Sequence, residues 1–136
     1  MNTEELTQPN NLDAERSVLG AILVHAPAFD VVVNTLRDTD WYLRSHQLIW
    51  SAMKALSDQA VVIDFLTLKE QLVRAGHLDV VGGPLYISGL ADGVPRSTNV
   101  RHYAGIVHEK SQLRSLIATA NVLLDAAYAG AESSET

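Results

Sequence analysis

The stretch VPRSTNVRHYAGIVHEKSQLRSLIATANVLLDAAY, residues 94–128, decides how this chain is read. Pro95 breaks the preceding structure, and Ser97, Thr98 or Asn99 can supply the side-chain oxygen that caps a helix. From there Tyr103, Ile106, Lys110, Leu113, Ile117, Ala120, Leu124 and Ala127 follow alternating steps of three and four. That is the period of a helical packing seam. Leu116 and Leu123 widen the stripe in its second half, and between residues 115 and 129 the only charge is Asp125. About thirty residues of helix span roughly 45 Å, whereas a compact chain of this size is less than roughly 40 Å across. The far end of the helix is therefore expected to project, and the polar tail beyond it, residues 130–136, is too short to cover it. An uncovered apolar stripe marks a contact with another molecule. Here it is expected to be self-association through Leu113, Leu116, Ile117, Ala120, Leu123 and Leu124.

Working back from this helix, the rest of the chain reads as a bundle of about five to six short helices over residues 11–93. Residues 1–10 are polar and read as a flexible arm. Residues 12–24 form the first helix, capped by Asn10 or Asn11, with Asp13 and Glu15 in the first turn where the helix dipole favours anions. Gly20 inside it costs about 1 kcal/mol relative to alanine and implies close approach of another helix. Pro27 suits the start of a second helix whose inner face is Phe29, Val32, Val33 and Leu36. A turn over residues 37–40 leads to Trp41 and Tyr42, then to a third helix over residues 45–56 with His46, Ile49, Trp50, Met53 and Leu56 on one face. Asp64 caps a fourth helix, residues 65–75, with Phe65, Leu68 and Leu72 inside and Gly76 ending it. Gly82 and Gly83 make a tight turn. Pro84 opens a fifth helix carrying Tyr86, Ile87 and Leu90 inward. Short connections and the three-and-four spacing throughout imply an all-α fold with no sheet.

The bulk properties fit one soluble domain. The chain has 136 residues, 47% hydrophobic content and no cysteine, which excludes a disulfide framework and thiolate chemistry. No apolar run approaches the roughly 18–20 residues of a membrane span, and the acidic N-terminus is unlike a secretory signal. The expected location is the cytoplasm. The net charge of −6 argues against direct binding to duplex DNA. Arg96, Arg101, Lys110 and Arg114 form a local exception that could face nucleic acid. Solvated helix surface is the ordinary reading of such a group.

No phosphate loop is present, since Gly82-Gly83 is not followed by lysine and a hydroxyl residue. No two of the five histidines stand three or four apart, so no helical metal pair forms. His46 reads as a satisfied buried imidazole, His102 and His108 as surface, and Asp38 with Asp40 as a capped turn. No catalytic, cofactor or metal residues are assigned.

The order of these segments carries a resemblance. Residues 10–23, NNLDAERSVLGAIL, resemble the opening of the N-terminal domain of bacterial replicative DNA helicases of the DnaB type. Asp40-Trp41-Tyr42 is similar to that family's Asp-Phe-Tyr, with larger aromatics at Trp41 and Trp50 that packing must absorb. Val62-Ile63-Asp64, Thr67-Leu68, Gly82-Gly83 with Tyr86, Val94-Pro95, Asn99-Val100, Tyr103-Ala104 and Glu109-Lys110 continue in register. Gly89 and Gly105 stand where helix formers are usual. The resemblance implies a non-catalytic domain in which the long helix, residues 94–129, is the first arm of a helical hairpin. Copies would pair into homodimers, three dimers would form a collar on a hexamer, and primase would dock near Tyr86, Ile117 and Leu123. A helicase loader is a further implied partner. It also implies a parent that is an ATP-dependent 5'–3' DNA helicase whose motor lies outside this chain. The competing readings are a stand-alone helical adaptor acting on helicase or primase, and a small single-stranded nucleic-acid binder. The chain itself is expected neither to bind nor to hydrolyse ATP. Hydrolysis that follows the protein through several columns would refute this.

Overall fold

The computed structural model describes residues 7–94 and 99–135, the last three by their backbone alone. Among them every regular element is helical. They are α1 (Leu12–Val24), α2 (Ala28–Val32), a 3-10 turn (Asp38–Asp40), α3 (Arg44–Asp58), α4 (Phe65–Ala75), α5 (Gly83–Ala91) and α6 (Val100–Glu135).

Local chemistry sets the boundaries. The Asn11 side chain accepts the Ala14 N–H at 3.0 Å and starts α1. Asp64 and Thr67 cap α4 reciprocally, side chain to backbone, at 2.8 and 2.9 Å. Gly76, at φ 75°, ends that helix in the left-handed conformation that glycine adopts without cost. At the start of α6 the Asn99 side chain accepts the His102 N–H at 3.3 Å. The other capping candidates, Ser97 and Thr98, lie with Pro95 and Arg96 outside the described residues.

α1 is the hub, packed on α2, α3, α5 and α6. Its Val18, Leu19 and Ile22 are fully buried against a core that includes Ile49, Trp50 and Met53 of α3, Leu68 and Leu72 of α4, Ile87 of α5, and Ala104 and Val107 of α6. Trp50 lies between Phe29 and Trp41, with ring centroids 5.2 and 5.3 Å apart. The two large aromatics are thereby taken into a single cluster. Gly20 marks the closest approach of α1 to α5. A methyl group there would overlap the Leu90 carbonyl oxygen and touch Val94 at 3.0 Å.

Several expectations need correction. α2 has only five residues, so Leu36 reaches the core from the chain that follows it. Phe65, read as inner stripe, is 36% exposed, because the capped first turn of α4 sets it at the rim of the buried face. The segment taken as a flexible tail is helical as far as Glu135, with Thr136 outside the described residues. Ala129, Ala131, Glu132 and Glu135 are strong helix formers, and extending an existing helix adds a hydrogen bond for each residue fixed. The N-terminal arm is held at Pro9, whose carbonyl accepts a bond from Arg114, while residues 1–6 lie outside the description.

Gly20 of α1 and Gly89 of α5 make a paired test. Gly20→Ala should destabilise the fold by about 1–3 kcal/mol through overpacking. Gly89→Ala, where nothing lies within 4 Å of the added methyl, should be neutral or stabilising by up to about 1 kcal/mol. Urea midpoints that move together in the same direction would contradict this packing.

Candidate docking interface

α6 uses two different faces. Val100, Ala104, Val107 and Ser111 are buried against the bundle, but every residue from 115 to 132 is exposed. At about 100° per residue, the stripe of Leu113, Ile117, Ala120 and Leu124 points roughly opposite to the bundle-facing side. The exposed part continues for roughly 30 Å and carries Leu116 at 66%, Leu123 at 66% and Leu124 at 54% exposure. The six residues expected to self-associate therefore lie on one broad face outside the buried core. Its N-terminal continuation, Tyr103 and Ile106, is partly buried against the core, and exposure along the stripe rises from Leu113 at 38% and Ile117 at 36% to Leu123 and Leu124.

The exit of α6 from the bundle is fixed by a polar clamp centred on Asp40, which is buried. One carboxylate oxygen accepts the Ser111 hydroxyl at 2.8 Å. The other accepts the Arg37 N–H at 3.0 Å, closing the 3-10 turn, and lies 3.1 Å from Nδ1 of His108. Arg114 donates to the Asp40 main-chain oxygen and to the Pro9 carbonyl, both at 2.7 Å, and its guanidinium lies 5.4 Å from the centre of the Tyr42 ring. Two expectations change here. His108 is a half-buried partner of Asp40, and Arg114 is committed within the chain. Of the other cations grouped with it, Arg101 is exposed, Lys110 is half-buried and Arg96 is outside the described residues.

Tyr86 stands elsewhere. α5 packs on α1 and α4, whereas α6 packs mainly on α1, α2 and the 3-10 turn. Tyr86 is thus on an element that does not pack closely on α6. The Tyr86 hydroxyl instead meets Nε2 of His46 at 2.5 Å, and Nδ1 of His46 meets Glu15 at 2.7 Å. The second Glu15 oxygen accepts the Tyr42 N–H at 2.9 Å. One tautomer satisfies the whole row: Tyr86 donates to Nε2, and Nδ1–H donates to the carboxylate.

His46 is buried and satisfied, as its position on the apolar face implied. Its partner Glu15 shares the mostly apolar face of α1 with Leu12, Val18, Leu19, Ile22 and Leu23, but no local pattern showed that the two pair. A hydroxyl, an imidazole and a carboxylate in sequence have the order of a hydrolytic triad. Burial, however, pushes the Tyr86 hydroxyl above its ordinary value, with the Arg16 guanidinium opposing. An activated nucleophile needs the opposite shift, and His46 and Glu15 lie in the core at 0% and 1% exposure rather than in an open cleft. Among the described residues no group of three or more His, Asp or Glu side chains could hold a metal ion, and no helix is long and apolar enough to cross a membrane.

Comparison with known proteins gives a consistent result. The family model of the DnaB-like helicase N-terminal domain matches residues 7–109. The chain is 39% identical over 120 residues to the replicative DNA helicase DnaC of Bacillus subtilis, covering 88% of this chain and 26% of that protein. It is 38% identical over 124 residues to the replicative DNA helicase DnaB of Geobacillus stearothermophilus, covering 91% and 27%. It thus spans about a quarter of the length of these relatives. The N-terminal domain of DnaB helicase from Mycobacterium tuberculosis superposes with a TM-score of 0.89 at 36% identity, over 93% of this chain and 90% of that one. The corresponding domain from Helicobacter pylori, described with its interactions with primase, gives 0.73 at 19% identity over 85% and 90%, a likeness of fold.

The Glu15 row predicts two outcomes. Glu15→Ala strands His46 and the Tyr42 N–H in the core and should cost about 3–5 kcal/mol; a loss below about 1 kcal/mol in urea unfolding would contradict it. The raised value of Tyr86 means that its contribution to stability is full below its ordinary value of 10.0 and is lost as pH rises through the higher folded value. The fall in thermal midpoint above that pH should therefore be shallower in Tyr86→Phe than in the wild type.

Proposed function

We propose that this chain, which belongs to the DnaB-like helicase N-terminal domain family, is the assembly and docking domain of a replicative DNA helicase. The observation that carries the reading is the projecting part of α6. It is apolar along one face, bears a single charge between residues 115 and 129, and points that face away from its own bundle. Fully burying a leucine-sized side chain contributes about 1.5–3 kcal/mol. The six residues of the stripe together can offset the loss of freedom on association. Copies pair through this face, and three pairs make the collar of a hexamer.

Primase docks on the same domain. Support comes from the H. pylori domain of the same fold, described with its interactions with primase, and from the dry helical face, which suits helix-in-groove recognition. The contact is placed at Tyr86, Ile117 and Leu123, with the Tyr86 hydroxyl also engaged by His46. The parent protein is an ATP-dependent 5'–3' DNA helicase acting in the cytoplasm, and a loader is a further partner. The single-stranded nucleic-acid reading loses Arg114, which is engaged at Pro9 and Asp40.

At high micromolar concentration the wild-type chain should sediment above monomer mass. Ile117→Asp should return it to monomer and weaken binding of the cognate primase C-terminal region by at least about tenfold, or ~1.4 kcal/mol, because the carboxylate would be buried unpaired. Leu123→Ala should be milder. A folded Ile117→Asp chain that matches the wild type in both measurements would remove α6 as the interface.

A further inference from the structure

A second exposed apolar band, separate in sequence from the α6 stripe, runs from the α3–α4 connection along α4. It begins at the connection between α3 and α4, where Ala60 takes a φ of 57° and turns Val61 and Val62 outward. Val62 is 68% exposed, and the band continues along the outer face of α4 through Leu66 at 68% and Val73 at 54%. The opposite face of α4, Leu68 and Leu72, is fully buried, so the outer residues have no role in the core.

Two sockets are set into the band. One, of about 320 Å³, is lined by Ala26, Pro27, Phe29, Val61 and Val62, with Asp30 at its edge. The other, of about 310 Å³, is bounded by Leu66, Lys69, Glu70 and Val73. Those four positions are related by three, four and seven, the spacing of the hole that receives one side chain of a facing helix. Val62 lines the first socket and Leu66 the second, four positions apart in sequence across the Asp64 cap of α4.

The rim selects the occupant. Asp30 lines the first socket, Asp58 and Asp64 flank its Val61–Val62 wall in sequence, and no Lys or Arg occurs between residues 59 and 68; the second socket is lined by Lys69 and Glu70. The nearest upstream cation, Lys54, is held by Asp38 at 2.9 Å. A second copy of this chain, at a net charge of −6, is poorly matched to that rim. We infer that this band is a docking surface for an amphipathic helix of another protein, one whose apolar stripe is flanked by Lys or Arg. Its apolar side chains enter the two sockets and its cations meet Asp30, Asp58 and Asp64.

The test uses the wild-type chain, isotopically labelled, and two synthetic amphipathic peptides of about four helical turns. They share a leucine face and differ only in Lys or Glu on its flanks. The Leu/Lys peptide should shift the amide resonances of Val61, Val62, Leu66 and Val73, and the Leu/Glu peptide should bind at least about tenfold more weakly. The variant Val62→Lys/Leu66→Lys, altered only at exposed positions, should lose the Leu/Lys peptide and keep its far-ultraviolet spectrum and its sedimentation. Ile117→Asp should keep the peptide even where it loses self-association, so that failure of the α6 reading and failure of this one are told apart. Equal binding of both peptides, unchanged binding by the double variant, loss of binding in Ile117→Asp, or no binding at all would overturn the inference.

Discussion

The direction in which α6 leaves the bundle rests on the burial of one carboxylate. Asp40 is only 3% exposed, so its carboxylate must be met largely by the protein. It is met from two elements at once: the Arg37 backbone on its own turn, and Ser111 and His108 on α6. Arg114 extends the same clamp to the Asp40 carbonyl and to Pro9. Apolar contact through Ala104 and Val107 alone would hold α6 to the bundle without fixing its rotation, because apolar burial is non-directional. Hydrogen bonds to a buried carboxylate are directional. They set the rotation of the helix, and the rotation decides which way the stripe of Leu113, Ile117, Ala120 and Leu124 points.

This arrangement also explains how a helix persists where nothing packs on it. Forming the first turn is the costly step, and the docked part of α6 supplies it. Beyond residue 114 the sequence is rich in Leu and Ala, so each further residue adds a bond at little cost. The projecting half is thus an extension of a helix already held. Its apolar face is available to a partner because the part that holds it uses the opposite side.

Sequence alone showed those elements whose determinants are close in the chain. α1 and α4 were legible to their ends, because Asn11, Asp64 and Gly76 act on neighbours three or four residues away. Gly20 pointed to a close approach before its neighbour, Leu90, was known. The exposed stripe of α6 was legible because it needs no partner within the chain. The misread residues are those whose partner is distant in sequence. Glu15 finds His46 across 31 positions, His108 finds Asp40 across 68, and Arg114 finds Pro9 across 105. Each carries a polar group that, lacking such a partner, belongs in water, and no local pattern announces the partner. The end of α6 was missed for another reason. Gly130 and the polar residues after it looked like a stop, while alanine and glutamate carried the helix through.

The position of Tyr86 shows why the two kinds of residue must be kept apart when function is assigned. Its ring is half-buried and its hydroxyl completes a row that reaches α1 through His46 and Glu15. Removing the side chain leaves a buried imidazole nitrogen without its donor and loosens α5 against the hub helix. A loss of partner binding on such a change is therefore equally a loss of shape. Ile117 and Leu123 differ in kind, because both lie outside the buried core, Leu123 at 66% and Ile117 at 36% exposure. A residue on the projecting face reports on the partner. A residue in the buried row reports first on the fold, and only through the fold on anything that docks there.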